Sequence, residues 1–325
     1  MKKQQIWLFK IIKHSFFWIA VSVMMMIGSI VLFVVNARLS IEFTGGIDLT
    51  INELNNEENL VSALKDGLTA QGFNQPQINI EKEGTNTSLL VSLPFENDEQ
   101  VKEVSSGVNQ ILLNQWFISS PDTIVGLSLN GPSVSSYMKS GAINAIIVGL
   151  ILISIYIMFS FASVRKHISP LVLGWVTILT MLFDASIALW AYGLWMAFNS
   201  TVTVDTIFII SILTIMGYSI NDTIIILDRI RENIARQSDS LDKGTVLYGQ
   251  LVEDSIWQTM RRSLGTGVTT LLVTLTLFIF GTDMLQKFAF TIAIGIIAGT
   301  YSSLFFASPM TYIFLNKWKK ELKKL

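Results

Sequence analysis

The chain has 325 residues, of which 51% are hydrophobic and 14% charged, where soluble domains carry about 25% charged residues. Its 24 acidic and 23 basic residues leave a net charge of −1, which makes no case for nucleic acid as a partner. Cysteine is absent and the two histidines, His14 and His167, are far apart in sequence, so disulfides, a thiolate metal site and a cysteine nucleophile are excluded and no metal or cofactor is expected.

The N-terminus is short and basic (Lys2, Lys3, Lys10, Lys13), and Ser15 to Val35 then supplies about the 20 apolar residues that a helix needs to cross a bilayer. Val35-Asn36-Ala37 is a poor version of the A-x-A exit of a secretory signal, so an uncleaved first span is expected. From Arg38 to Lys139 the composition changes to 13 acidic and 5 basic residues with no spanning segment. Strands are expected at Ile47–Leu54, Gln77–Glu81, Ser88–Leu93 and Asp122–Leu129, and helices at Glu57–Gln71 and Glu96–Trp116, with turns at Gly72, Gly84 and Pro121. The order β-α-β-β-α-β is that of a ferredoxin-like unit. Further spans are expected near Gly141–Phe161, Ser169–Tyr192, Val204–Leu227, Ser263–Phe280 and Phe288–Leu315, with a charged, part-helical segment from Asp228 to Met260.

The fold class expected is thus an α-helical polytopic membrane protein with six transmembrane helices and an α+β ferredoxin-like extracytoplasmic domain between spans one and two. Its parts are residues 1–36 (N-terminus and first span), 37–139 (the outer domain), 140–315 (a five-span bundle with loop 228–260) and 316–325 (a basic tail). With the N-terminus inside, inner segments hold 17 of the 23 basic residues, including Arg165 and Lys166, and outer segments hold 6, which orients both termini to the cytoplasm.

Polar residues inside the spans carry the functional expectation. Ser211, Thr214, Tyr218, Asn221 and Asp222 fall within an arc of about 100° on a helix, and such a stripe must face protein or a water-filled cavity. An ionisable group at membrane depth costs roughly 2.5–3.5 kcal/mol and is by default a functional residue. Thr259, Arg262, Thr266, Thr269 and Thr270 share one face of the fifth span, which offers Arg262 as a partner for Asp222. The pair reads either as a permanent ion pair that locks the helices or as a switch in which small movements change the charge on Asp222. Asp184, in the middle of the third span, is a second candidate for an ion path, whereas Asp205 reads as interfacial. Gly295-Ile-Ile-Ala-Gly299 is a GxxxG pattern for close helix packing. Phe43-Thr44-Gly45-Gly46 reads as a tight reversal after the first span, and no nucleotide motif appears, so energy for any transport has to come from a gradient or a partner.

Ser40-Ile-Glu-Phe-Thr-Gly-Gly46, the large outer domain, Gly217-Tyr-Ser-Ile-Asn-Asp-Thr223 and Asp228-Arg-Ile-Arg-Glu-Asn233 together resemble the SecF family of the resistance–nodulation–division superfamily. Gln258-Thr259-Met-Arg-Arg262-Ser resembles the family's entry to the fifth span, and Gly299-Thr-Tyr-Ser-Ser303 to Pro309 its last span. The resemblance implies a non-enzymatic subunit of the cell membrane that works with SecD, using an ion (proton) gradient to drive late steps of preprotein translocation. It implies SecD, the SecYEG translocon, a YidC-type insertase and unfolded preprotein as partners. By the same resemblance the relay aspartate falls on Asp222, the third-span aspartate on Asp184 and the functional arginine on Arg262, with Tyr218, Asn221, Thr266, Thr269 and Thr270 along the path and Phe43–Gly46 as a hinge base. Phe183 stands where the family has His, and Trp257 where it has Asn. Two other readings stay open: a small-molecule or lipid exporter of the same superfamily, and a non-conducting assembly factor of the translocon.

Overall fold

The structure is a computed structural model, which describes residues 10–52, 59–73, 76–83, 86–93, 95, 97–161, 169–199, 202–242 and 247–322. Lys2, Lys3, the turn at Gly84, Arg165, Lys166, His167, Lys243, Lys323, Lys324 and the junction 53–58 between the first expected strand and helix lie outside them. In chain order the elements are α1 (Ser15–Asn36), α2 (Ile41–Thr44), β1 (Gly46–Ile51), α3 (Leu60–Ala70), β2 (Gln77–Glu83), β3 (Asn86–Ser92), α4 (Asp98–Asn114), β4 (Ile124–Asn130) and α5 (Pro132–Ser160). Then follow α6 (Pro170–Phe198), α7 (Thr206–Arg236), α8 (Ser238–Asp242), α9 (Tyr248–Phe280), α10 (Asp283–Ser302) and α11 (Ser308–Leu322).

Among the described residues, six helical stretches are long and apolar enough to cross a bilayer: Ile12–Asn36, Pro132–Ser160, Pro170–Phe198, Thr206–Arg236, Tyr248–Phe280 and Asp283–Leu315. The chain is a multi-pass membrane protein. Within the chain, 56%, 50% and 56% of the apolar windows of the third, fourth and sixth stretches are buried, against 11%, 11% and 17% for the first, second and fifth. The third, fourth and sixth therefore form the centre of the bundle.

The helices outrun the expected spans. The charged segment 228–260 is mostly a continuation of α7 and α9, joined through α8. Ion pairs along one strip of α7 hold that extension: Asp228 with Arg231, Arg229 with Glu232 (2.5 Å), and Glu232 with Arg236 (2.6 Å). Asn233 donates to Ser255 Oγ (2.8 Å) and Gln258 Oε1 (3.2 Å), and Arg229 Nε donates to Gln258 Oε1 (2.5 Å). These bonds join the extensions of α7 and α9. At the start of α1, the buried Glu253 carboxylate accepts from Ile11 N (3.0 Å), Ile12 N (2.8 Å) and Trp257 Nε1 (3.0 Å), which satisfies donors that a helix start otherwise leaves orphaned. The indole N–H of Trp257 thus finds its acceptor one turn away on the same helix.

The chain divides into two compact units, one of residues 1–35, 146–194 and 210–325, the other of Asn36–Ala145 with Trp195–Ile209. The second holds a four-stranded sheet of order β2-β3-β1-β4, antiparallel throughout, with the elements in the expected order β-α-β-β-α-β. Alternation puts Ile47, Leu49 and Ile51 of β1 on one face, where they meet Leu60, Leu64 and Leu68 of α3 and Val101, Val104, Val108 and Leu112 of α4. The spacing of four in α3 is what makes its apolar side continuous. Asn97 caps α4 by accepting from Gln100 N (2.9 Å), and Asp98 and Glu99 in the first turn suit the helix dipole.

Asp48 lies on the other face of β1, opposite Leu90 and Ser128. Its Oδ1 is buried with no donor among the described residues, and burial pushes its carboxyl above the usual carboxylate range. The native state therefore binds this proton more tightly than the unfolded chain, and the contribution of Asp48 to stability falls as pH rises through the folded value. Asp48→Asn is expected to raise the melting midpoint at neutral and alkaline pH, with the gain vanishing below the unfolded value of about 3.9. Thermal melts across that pH range check this; a gain that is the same at every pH would count against it.

Candidate functional site

Two carboxyl groups sit at the centre of the bundle. Asp184 of α6 and Asp222 of α7 are both 0% exposed. Ser219 Oγ, one turn before Asp222, donates to Asp184 Oδ2, and the hydroxyl of Ser302 at the end of α10 lies beside the same carboxyl. Thr266 Oγ1 of α9 reaches Asp222 Oδ1 at 3.5 Å, and the hydroxyls of Ser263 and Thr300 lie close to that carboxyl as well. The two carboxyls are near enough to act on each other electrostatically. Asp184 Oδ1, Asp222 Oδ2 and Ser263 Oγ are buried and find no hydrogen-bond partner among the described residues. Neither carboxyl has a Lys or Arg nitrogen within ion-pair distance there. A buried carboxylate with only hydroxyls around it is costly unless a proton or a small cation neutralises it. The arrangement is suited to taking up and releasing one such charge. No group of three or more His, Cys, Asp or Glu that could hold a metal occurs among the described residues.

Close helix approach builds this site. A Cβ on Gly295 would stand 2.3–2.7 Å from the Ile215 side chain, and one on Gly299 would stand 3.3 Å from Ser219 Cα. The GxxxG face of α10 thus packs on α7, and it brings Thr300 and Ser302 to the two aspartates. A π-helical turn, Ser303–Ala307, follows immediately and leads into α11, the kind of helix irregularity that collects at functional sites. Phe183 stacks on Tyr301 (5.8 Å between centroids) and Phe306 (5.5 Å), so the position before Asp184 is an apolar wall.

The expected Asp222–Arg262 pair does not form. Arg262 is exposed, and no ion pair to Asp222 lies within 4 Å. Arg262 stands one turn before Thr266 and 100° round α9 from Ser263, and its side chain is exposed instead of turned in to Asp222. Because it makes no ion pair among the described residues, Arg262→Ala is expected to leave thermal stability within about 0.5 kcal/mol. Melting of the purified protein in detergent checks this, and a loss of several kcal/mol would restore the locking pair. The hydroxyls of Thr269 and Thr270 bond back to their own helix, at Gly265 O (3.0 Å) and Thr266 O (2.9 Å).

The polar stripe of α7 divides between two environments. Ser211, Ser219 and Asp222 are buried, whereas Thr214, Gly217 and Asn221 are exposed. Tyr218 lies between them, its hydroxyl buried with no partner among the described residues. Sequence reasoning missed Ser219, Ser263, Thr300 and Ser302 as parts of the site. Their one signal was spacing, since Ser219 and Ser263 each stand three residues before a site residue, Asp222 and Thr266.

Phe43–Gly46 belongs to the sheet unit. Ser40 caps the short α2, Gly45 takes φ +82°, and a Cβ on Gly46 would lie 2.6 Å from Ile41 Cγ2 and 2.8 Å from Val91 O. Thr44 Oγ1 bonds Ser92 Oγ at 3.1 Å, and Phe43 is buried. The reversal is present, an elbow packed on both sides.

Residues 119–317 match the family described as protein export membrane protein SecD/SecF, C-terminal. The protein translocase subunit SecF of Rhodothermus marinus is 32% identical over 278 residues, which are 84% of this chain and 82% of that one. The chain belongs to the SecF family. The protein translocase subunit SecDF of Thermus thermophilus is 33% identical over 90% of this chain and 36% of its own length. The crystal structure of SecDF, a translocon-associated membrane protein from Thermus thermophilus, superposes with a TM-score of 0.71 at 29% identity, over 97% of this chain and 40% of that chain. Within this SecF-family chain, the matched stretch holds Asp184, Asp222 and every hydroxyl around them.

Proposed function

We propose that this chain is an accessory subunit of the Sec protein translocase that, with SecD, spends an ion gradient on late steps of preprotein translocation. It works as a transport subunit and not as an enzyme. The observation that carries the reading is the pair of buried carboxyls, Asp184 and Asp222, with hydroxyls around them and, among the described residues, no Lys or Arg nitrogen within ion-pair distance. Such a pair exchanges a proton or sodium ion as the helices around it shift. The fused SecDF relative, of which this chain matches 36%, supports SecD as the partner that completes the membrane part. Its structural counterpart, described as translocon-associated, supports a place beside SecYEG. The bias of 17 inner to 6 outer basic residues supports cytoplasmic termini, which sets the sheet unit outside. With element order β-α-β-β-α-β and strand order β2-β3-β1-β4, that unit is read as a ferredoxin-like domain.

The test is export of a preprotein into membrane vesicles that hold this chain and SecD, with a proton or a sodium gradient imposed in turn. One of the two is expected to accelerate export. A rate that responds to neither overturns the proposal.

A further inference from the structure

The segment that leaves α1 does not pass freely to the sheet. Arg38 donates from its guanidinium to Met196 O and, at 2.6 Å, to Asn199 O, two carbonyls at the C-terminal end of α6. Four residues on, Glu42 Oε2 accepts from Thr206 N (2.7 Å) and Thr206 Oγ1 (2.5 Å), at the first residue of α7. Between them the backbone pairs with the stretch joining the two helices: Ser40 N donates to Val204 O (2.8 Å), Val204 N donates to Arg38 O (2.7 Å), and Leu39 forms a parallel bridge with Val204. The charges match their places. A cation meets the negative end of one helix dipole and an anion meets the positive end of the next. Asp205, which caps α7 through Phe208 N (2.7 Å), adds a second carboxylate there.

The other side of the segment is equally fixed. Ile41 and Phe43 are buried, Gly46 packs against Ile41 and the Val91 carbonyl, and β1 begins at once. All of these residues lie in the one compact unit that joins Asn36–Ala145 to Trp195–Ile209. The helices so gripped, α6 and α7, are the two that carry Asp184 and Asp222.

We propose that Arg38 and Glu42 are positioning residues that fasten the ends of α6 and α7 to the elbow before β1, so that displacement of the two ion-site helices is delivered to the sheet. This rests on the reading of Asp184 and Asp222 as an ion site. Neither residue touches the ion. Their removal therefore uncouples flux from work without stopping flux.

The natural absence of cysteine makes a direct test available. Neighbouring strands lie about 4.8 Å apart, which is within the Cα separations that a disulfide spans, so Leu39→Cys with Val204→Cys is expected to cross-link in the full chain assembled with SecD. Oxidised and reduced forms of that pair should export equally well, because the strap stays attached throughout the cycle. Arg38→Ala with Glu42→Ala is expected to keep gradient-driven ion flux, read by a lumenal pH or sodium dye, while gradient-stimulated export falls to the unstimulated rate. Forming the disulfide in that background should restore export, and reductant should remove the gain. The proposal is overturned if the double alanine variant keeps both flux and stimulation or loses both. It is equally overturned if the disulfide fails to repair export, or if it arrests an otherwise unaltered chain. Failure of the ion-site reading looks different, since the unaltered chain would then show no gradient response at all.

Discussion

Asp222→Asn is expected to reduce gradient-stimulated export to the unstimulated rate while leaving the protein folded. Asn keeps the size of the side chain and can still accept from Thr266, so the packing around a residue that is 0% exposed is preserved. What it loses is the exchangeable charge, and nothing among the hydroxyls of Ser263, Thr266, Thr300 and Ser219 can replace it, since none of them ionises near neutral pH. Removing a buried carboxyl with no cationic partner also removes a penalty, so the melting temperature should stay level or rise. Export into vesicles with and without an imposed gradient, beside a thermal melt of the same preparation, separates the two effects. Full gradient stimulation in the variant would end the role assigned to Asp222. A variant that no longer folds would show instead that the carboxyl is held by a donor the geometry does not reveal.

Gly295→Ala is expected to be the most disruptive single methyl group that can be added to the bundle centre. Its Cβ would stand 2.3–2.7 Å from Cγ1, Cδ1 and Cγ2 of Ile215, closer than carbon atoms approach. Ile215 is 1% exposed and β-branched, so it has little room and few rotamers with which to yield. Overpacking of this kind costs typically about 1–3 kcal/mol, and part of that cost would appear as separation of α10 from α7, drawing Thr300 and Ser302 away from the aspartates. Pairing the change with Ile215→Ala makes the explanation testable. The second change alone should destabilise by about 2–5 kcal/mol through a cavity, but the double variant should lose less than the sum, because each relieves the other. Additive losses would mean that the two residues do not press on one another.

The six spans were legible because each is a long apolar run, and the alternation in Ile47–Ile51 was legible because one face of the sheet is buried. The ends of the spans were not, because charge hid the helices beyond them. Asp228, Arg231 and Glu232 look like the start of a loop until their i,i+3 and i,i+4 pairing is seen. The site was half legible. A carboxylate within an apolar helix stands out in composition, and Asp184 and Asp222 were found in that way. Serine and threonine in apolar helices more often bond back to their own backbone, as Thr269, Thr274, Thr276 and Thr300 itself do here, so nothing marked Ser263 or Thr300 as different. Arg262 was misplaced for a geometric reason. It shares a face with Thr266, but it stands a turn away, just before the expected span begins at Ser263, and its long side chain is exposed there. The strap was invisible, since Arg38 and Glu42 stand more than 150 residues from the helix ends they hold.

The divided stripe on α7 has a consequence for the birth of the protein. A copy released alone into the bilayer would present Thr214 and Asn221 to acyl chains that offer no hydrogen bonds. An amide at membrane depth without a hydrogen-bond partner is costly. An orphan chain is thus marked by its own surface, and a quality-control protease or chaperone working within the membrane could recognise it from that face. Assembly that covers the stripe removes the mark, so synthesis in step with a partner would govern how much of the protein survives.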